Sequence, residues 1–221
     1  MGELLNIVTP LHQSTRRDYI GRMMNQKVEC MKTARKYGRD FWDGDRKFGY
    51  GGHSYIPGWW RSAARGLLER YSLKAGSTIL DAGCGKGYLL YEMSLLEPGL
   101  IVAGFDISEY ALSHAKEEIR ANLFRHNLKD AFPFEEDSFD LVISLNCLHN
   151  LSLPEVCRSL SEIQRVGKES YVLVESFRNE AEFFNVQCWA LTADTLVNVD
   201  SWKWLHEKSG YTGDYEFIFF E

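Results

Sequence analysis

No uninterrupted apolar stretch in these 221 residues approaches the roughly 20 needed to cross a bilayer. The N-terminus has no basic start followed by an apolar core and a small-residue cleavage site, so a cytoplasmic protein with no membrane contact is expected. The five cysteines, Cys30, Cys84, Cys147, Cys157 and Cys188, are odd in number and include no C-x-x-C pair, which argues against a disulfide framework. The six histidines are dispersed, and His53, His114 and His149 have no partner at metal-ligand spacing, so no metal is expected. Internal repeats and low-complexity linkers are missing too. At 45% apolar content, the chain can bury one sizeable core.

What is present is charge, unevenly spread. The net −6 divides into +4 over residues 1–60, with ten Lys/Arg against six Asp/Glu, and −10 over residues 61–221, with 15 against 25. An acidic body disfavours nonspecific nucleic-acid binding, which rests on basic surfaces that displace counterions, so no nucleic-acid partner is expected. The basic first segment has two readings. Either Arg16, Arg17 and Arg46 hold an anionic small substrate, or they line a solvated helix face.

The chemistry concentrates in Ile79-Leu80-Asp81-Ala82-Gly83-Cys84-Gly85-Lys86-Gly87, where an apolar strand ends in an acid and then in glycines at every second position. Gly83, Gly85 and Gly87 allow a sharp turn with no Cβ in the way, so a ligand can lie against bare amides. The helical pattern from Tyr88 is stopped by Glu97-Pro98-Gly99, and a second apolar run, Leu100 to Phe105, closes in Asp106, nineteen positions beyond Gly87. An acid at that strand tip can accept hydrogen bonds from both ribose hydroxyls. The spacing is G-x-G-x-G, where a dinucleotide fold uses G-x-G-x-x-G. Asp81 would repel a pyrophosphate but suits a cationic ligand or a ligand amine, which favours S-adenosylmethionine over NAD.

On these residues the chain resembles the class I S-adenosylmethionine-dependent methyltransferases, over roughly residues 58 to 221. ILDAGCGKG is similar to the family's first motif and VAGFDIS to its second-strand motif; the resemblance implies Asp106 as ribose ligand and Ile107 against the adenine. Phe132-Pro133-Phe134 and the run Asp137 to Ser144 resemble the family's path through the adenine pocket into strand four. Many members bind the adenine amino group with an acid just after strand three. Here Asn127 stands at that position, with the Leu128 amide beside it and Asp130 as the competitor. S-adenosylhomocysteine would be the product.

Ahead of these motifs, apolar residues from Tyr19 to Ala34 recur at helical intervals, predicting one amphipathic helix over residues 18–37 that packs across the cofactor opening. Residues 41–60 are dense in glycine and aromatics, a composition that suits a lid. Tyr50 and Tyr55 are expected to contact the ligand, other lid aromatics to shield the reacting methyl from water, and Arg61 to pair with the cofactor carboxylate. The alternative is that these aromatics simply cap the sheet. Residues 1–60 are therefore read as a helical and aromatic lid, and residues 61–221 as the cofactor-binding unit of the same domain.

The remaining pattern predicts an α/β fold: a doubly wound, mostly parallel Rossmann-like sheet with helices on both faces. Strands are expected at 78–81, 101–106, 141–145, 170–175 and 215–220, and helices at 58–71, 108–120, 154–165 and 199–209. The family's sheet usually ends in two strands after its last helix; here Asn185–Leu191 is expected to supply the missing neighbour. The segment Ser144 to Asn150 ends strand four on the carboxyl edge, where open α/β folds place their chemistry. His149 is the candidate base there, or else a helix-entry residue bonded to backbone. His53 is the second candidate, Asn146 is expected to position cofactor or acceptor, and Arg178 to reach an acidic acceptor; His12 has no context that raises it. The expected activity is methyl transfer to O or N of a small, anionic metabolite or sugar-linked acceptor. The alternatives are an RNA or protein methyltransferase, disfavoured by charge, and a non-catalytic cofactor-binding partner subunit.

Overall fold

The computed structural model describes residues 2–221. Its centre is a six-stranded sheet of β1 (Thr78–Ala82), β2 (Ile101–Asp106), β3 (Leu123–Arg125), β4 (Phe139–Leu145), β5 (Gly167–Glu175) and β6 (Asp214–Ile218). The order is β3-β2-β1-β4-β5-β6, with every pairing parallel. Parallel strands need crossovers, and these put helices on both faces. Successive strand residues therefore go to opposite cores. Ile79, Leu141, Ile143 and Leu173 pack with α5 (Arg61–Arg70), α6 (Tyr88–Leu96) and α10 (Glu180–Trp189). Leu80, Val142, Val172 and Val174 pack with α9 (Leu153–Val166) and α11 (Val199–Lys208). The strand order reverses between β1 and β4, and in open sheets that switch point opens a crevice at the carboxyl ends.

Three expectations are corrected. The helix over 18–37 is two, α2 (Tyr19–Met24) and α3 (Lys27–Ala34), because Gln26 adopts a left-handed conformation at φ +48 between them. The helix over 108–120 breaks into α7 (Glu109–Ser113) and α8 (Glu117–Arg120), since Lys116 is extended. Asn185–Leu191 is not a strand: its first five residues end α10, which starts where the Asn179 side chain accepts the Glu182 N–H. Shorter helices α1 (Thr9–Gln13) and α4 (Arg39–Asp43) complete the N-terminal segment.

The outer side of β6 is covered by the first described residues. Tyr215 N–H donates to Glu3 O at 3.0 Å, Leu5 N–H to Tyr215 O at 2.9 Å and Gly2 N–H to Gly213 O at 3.2 Å. An open strand edge is thereby paired. Beside it the buried Glu216 carboxylate accepts N–H bonds from Ile7, Val8 and Thr9 at 2.7, 3.0 and 2.5 Å, and the Tyr171 hydroxyl at 2.6 Å. It satisfies donors that α1 leaves free and ties that helix to the sheet. Glu216→Gln is expected to lower stability by roughly 1.5–3 kcal/mol, the range for bonds to a charged group. Chemical denaturation checks the loss, and amide exchange should rise first at residues 7–9.

Candidate active site

The crevice is built from the loop after β1. Gly83 and Cys84 donate their N–H groups to Phe105 O at 2.8 and 2.9 Å, so the chain leaves the strand while still bonded to its neighbour. Gly83 and Gly85 have φ of +94 and +55, and a Cβ would lie 2.3 Å from Cys147 Sγ at the first and 2.7 Å from the Trp42 ring at the second. Both the backbone and the space demand glycine. Gly87, at φ +67, serves instead as the left-handed residue before α6.

Asp106 ends β2 and closes this loop from below. One of its oxygens accepts the Gly85 N–H and the other the Ser108 N–H, each at 2.8 Å. Burial pushes its pKa up while those backbone bonds oppose the rise. An ionised carboxylate has about four acceptor sites, so two remain for a ligand. Asp81 is also buried, and its Oδ1 has no hydrogen-bond partner among the described residues. Burial, and then the charge of Asp106, push Asp81 up to about 8.

Above these acids lies a cavity of about 240 Å³. Of the expected cofactor residues, the structure brings Asp81, Gly83, Gly85, Asp106 and Ile107 to its wall, together with Asn127, Leu128, Asn146 and Tyr50. Asp130 is not in that wall; its N–H donates to Asn127 O at 3.0 Å. Trp42, expected as a lid aromatic, is there too, and so are His126 and Cys147, which sequence reasoning gave no role. Tyr55 and Arg61 lie outside it. The Tyr55 hydroxyl donates to Glu92 Oε1 at 2.5 Å, and Arg61 Nε is 3.6 Å from Glu92 Oε2, so a buried acid on α6 takes the partners expected for the ligand.

A second cavity of about 430 Å³ adjoins the first, and Tyr50, His53, Trp60, Asn146 and Asn150 line both. His53 is held through its backbone: its N–H donates to Asp43 Oδ1 at 2.9 Å, and its carbonyl accepts from Lys86 Nζ at 2.8 Å. Its ring stacks at 5.3 Å on Tyr88 and lies 4.5 Å from that of Tyr50. Burial and then the Lys86 charge lower its pKa to about 4, so the imidazole is neutral near pH 7. His149 lines only the second cavity, where Nδ1 accepts the Glu175 N–H at 3.4 Å and Nε2 is 3.6 Å from Glu175 Oε2. Both of its nitrogens face protein partners, and burial lowers its pKa against the pull of Glu175.

The second cavity also contains Arg17, Arg22, Arg46, His12 and Trp189. Arg16 is exposed and Arg178 is engaged by Glu182 and Glu221; neither lines it. Lys86, another residue missed, is almost wholly buried inside the glycine loop. Its ammonium contacts Asp43 Oδ1 and Oδ2 at 2.9 and 2.7 Å, joining α4 to that loop. Its position between two motif glycines was visible, but its partner 43 residues earlier carried no signal. Among the described residues no helix is long and apolar enough to cross a membrane, and no cluster of metal-ligating side chains occurs.

A family model described as a methyltransferase domain matches residues 73–214. An uncharacterised methyltransferase of Synechocystis is 31% identical over 113 residues, 50% of this chain and 52% of its own. The chain thus spans about half the length of that relative, and 56% of the next, a methyltransferase of Streptomyces halstedii. Among solved structures, a Haloferax volcanii chain described as a methyltransferase, in complex with the Trm112 methyltransferase activator, aligns with a TM-score of 0.55 at 20% identity, over 89% of this chain and 77% of that one. A Haemonchus contortus phosphoethanolamine N-methyltransferase, bound to phosphomonomethylethanolamine and S-adenosylhomocysteine, aligns with a TM-score of 0.56 at 23% identity, over 80% and 44%.

The Lys86–Asp43 pair makes a prediction. Asp43 is lowered to about 2, since hydrogen bonds from Lys86, Tyr110 and the His53 N–H outweigh its desolvation. A depressed acid stabilises the fold fully above its ordinary value of 3.8, and that contribution is lost as pH falls through about 2. Lys86→Met is expected to raise the pH at which amide protection over residues 39–53 is lost, as read by hydrogen exchange in an acid series.

Proposed function

The chain belongs to the class I S-adenosylmethionine-dependent methyltransferase family, and from that premise we propose that it methylates an O or N atom of a small, anionic acceptor. The observation that carries this reading is the pair of adjoining cavities of opposite charge. One has Asp81 and Asp106 at its base, the other has three arginines, and Tyr50, His53 and Asn146 stand between them.

S-adenosylmethionine fits the first cavity on three counts. The unpartnered Asp81 Oδ1 suits the ligand's amino group, the remaining acceptor sites of Asp106 suit the ribose hydroxyls, and the bare backbone at Gly83 and Gly85 admits a close ligand. Ile107 and the Asn127-Leu128 pair would flank the adenine. When bound, the cofactor supplies a methyl group on a positively charged sulfur, open to in-line displacement. The protein's part is to hold donor and acceptor in line and dry. Tyr50, stacked on Trp42 at 5.1 Å, presents aromatic surface at the shared wall.

His53 is the group placed to take a proton from the acceptor. It faces both cavities and its lone pair is free near pH 7; with its pKa lowered to about 4 it is a weak base, suited to an acceptor whose proton becomes acidic as the methyl bond forms. His149 would act through its Glu175 contact to set the acceptor cavity's shape and charge. Residues 2–60 then serve as a lid, with Gly51 and Gly52 at φ +71 and +100 next to Tyr50 and His53 as its turning points.

Two outcomes test this. Binding of S-adenosylmethionine should favour ionised Asp81 and so release up to one proton at pH 7, with affinity rising as pH rises through about 8. Calorimetry in buffers of different ionisation enthalpy reads the proton, and Asp81→Asn should abolish its release. His53→Gln should lower kcat by roughly 10²–10⁴-fold once an acceptor is found by screening for S-adenosylhomocysteine release. Its cofactor affinity should be unchanged; unchanged kcat would remove His53 from the reaction.

A further inference from the structure

We propose that Arg17, Arg22 and Arg46 form a subsite for a phosphate monoester carried by a small, soluble acceptor; this rests on the reading above and names its substrate class. The three guanidinium carbons lie 5.5, 4.2 and 5.2 Å from the ring of one residue, Trp189, in the wall of the larger cavity. Among the described residues none of the three has a carboxylate within ion-pair distance, although surface arginines such as Arg35, Arg125 and Arg165 all do. The cavity's one carboxylate, Glu175, sits against His149.

The three side chains are fixed without being neutralised. Arg17 donates to the His12 and Thr15 carbonyls at 3.1 and 2.9 Å, Arg22 to those of Trp189 and Arg46 at 2.9 and 3.0 Å, and Arg46 to those of Gly49 and Tyr50 at 3.3 and 2.6 Å. His12 adds a contact from Nδ1 to Arg17 at 3.1 Å. Backbone oxygens thus hold each guanidinium in place and leave full charges and spare N–H groups. Such a fork is preorganised for an oxyanion. Three positive charges gathered on one indole repel one another, and an anion that enters relieves the repulsion.

The charge count favours phosphate over a single carboxylate. Three arginines against Glu175 leave two positive charges for the ligand to match, and a phosphate monoester carries nearly two negative charges near pH 7. Its three terminal oxygens also suit three separate donors, whereas one carboxylate satisfies one fork. Because the same cavity reaches His53 and Asn146, a molecule anchored by phosphate at Trp189 would present its other atoms to the shared wall.

The test uses the full chain saturated with S-adenosylhomocysteine and follows binding of inorganic phosphate, of a hexose 6-phosphate and of vesicles with or without phosphatidate. Both soluble phosphates should bind, and Arg22→Gln and Arg46→Gln should each weaken them about tenfold, the loss of one charge-assisted contact. S-adenosylhomocysteine affinity should stay within about twofold, which shows that the variants fold, and Arg46→Lys should recover part of the loss. Methyl transfer should favour phosphorylated over free hexoses. No phosphate binding by a protein that binds S-adenosylhomocysteine, or binding that all the variants retain, overturns the proposal, as does binding only to phosphatidate vesicles. Failure to bind S-adenosylhomocysteine at all would instead overturn the methyltransferase reading itself.

Discussion

Lys86 sits between two glycines of the cofactor loop, and its side chain is only 4% exposed. A buried ammonium is tolerated only when paired and fully hydrogen-bonded, and removing its partner costs several kcal/mol. Here Asp43 and the His53 carbonyl do this from the N-terminal segment, while the Tyr110 hydroxyl donates to the same carboxylate at 2.8 Å from α7. Most of the site's geometry depends on this cluster. Trp42, next to Asp43, is thereby set over Gly85, with its indole N–H donating to Ser108 Oγ at 2.9 Å. Tyr50 stacks on Trp42, and His53 is held at the boundary of the two cavities. A single cation thus fixes the roof of one cavity and the wall of both.

The same economy appears in the charges. Asp81 and Asp106 lie near the carboxyl ends of neighbouring strands because β1 pairs in parallel with β2, and the reversal of order on the other side of β1 opens the crevice there. Burial raises both pKa values, and the charge of Asp106 raises Asp81 further, a cost that a cationic ligand would offset. The arginines come from the opposite direction, from the segment that runs back over the crevice from the outer edge at β6. Glu216 and the pairing of residues 2–5 with the 213–215 region anchor its start, so the edge strand β6, whose Ile218 lines the larger cavity, also ties down the segment that carries Arg17.

The sheet and its motif loops were legible in the sequence because they are local. An apolar strand, an acid and glycines at fixed offsets specify a turn whatever packs above it, and β2 was bounded by the same logic at Ile101–Asp106. The N-terminal segment was legible only as composition. Gln26 breaks a helical pattern without glycine or proline to announce it. Asn185–Leu191 is apolar enough for a strand, but Asn179 starts a helix six residues earlier, and a capped helix once begun runs on. Composition points Tyr55 and Arg61 at the ligand, yet Glu92, in the apolar sequence of α6, is a buried acid that engages them. His12 stands in no motif, and its contact with Arg17, five positions on, appears only in the folded chain.

The two histidines show why residue type alone did not settle the chemistry. Both are depressed by burial, and both lie near the carboxyl edge of the sheet. They differ in what their nitrogens meet. His149 has a backbone N–H on one side and a carboxylate on the other, so its tautomer is fixed and its lone pair is used within the protein. His53 is held by its main chain, through Asp43 and Lys86, which leaves the ring packed by aromatic faces but, among the described residues, with no hydrogen bond at either nitrogen. A base has to be positioned without being satisfied. Anchoring a residue by its backbone achieves that, so under the proposed function the buried Lys86–Asp43 pair, rather than any group beside the imidazole, would be the positioning element for His53 at the cavity boundary.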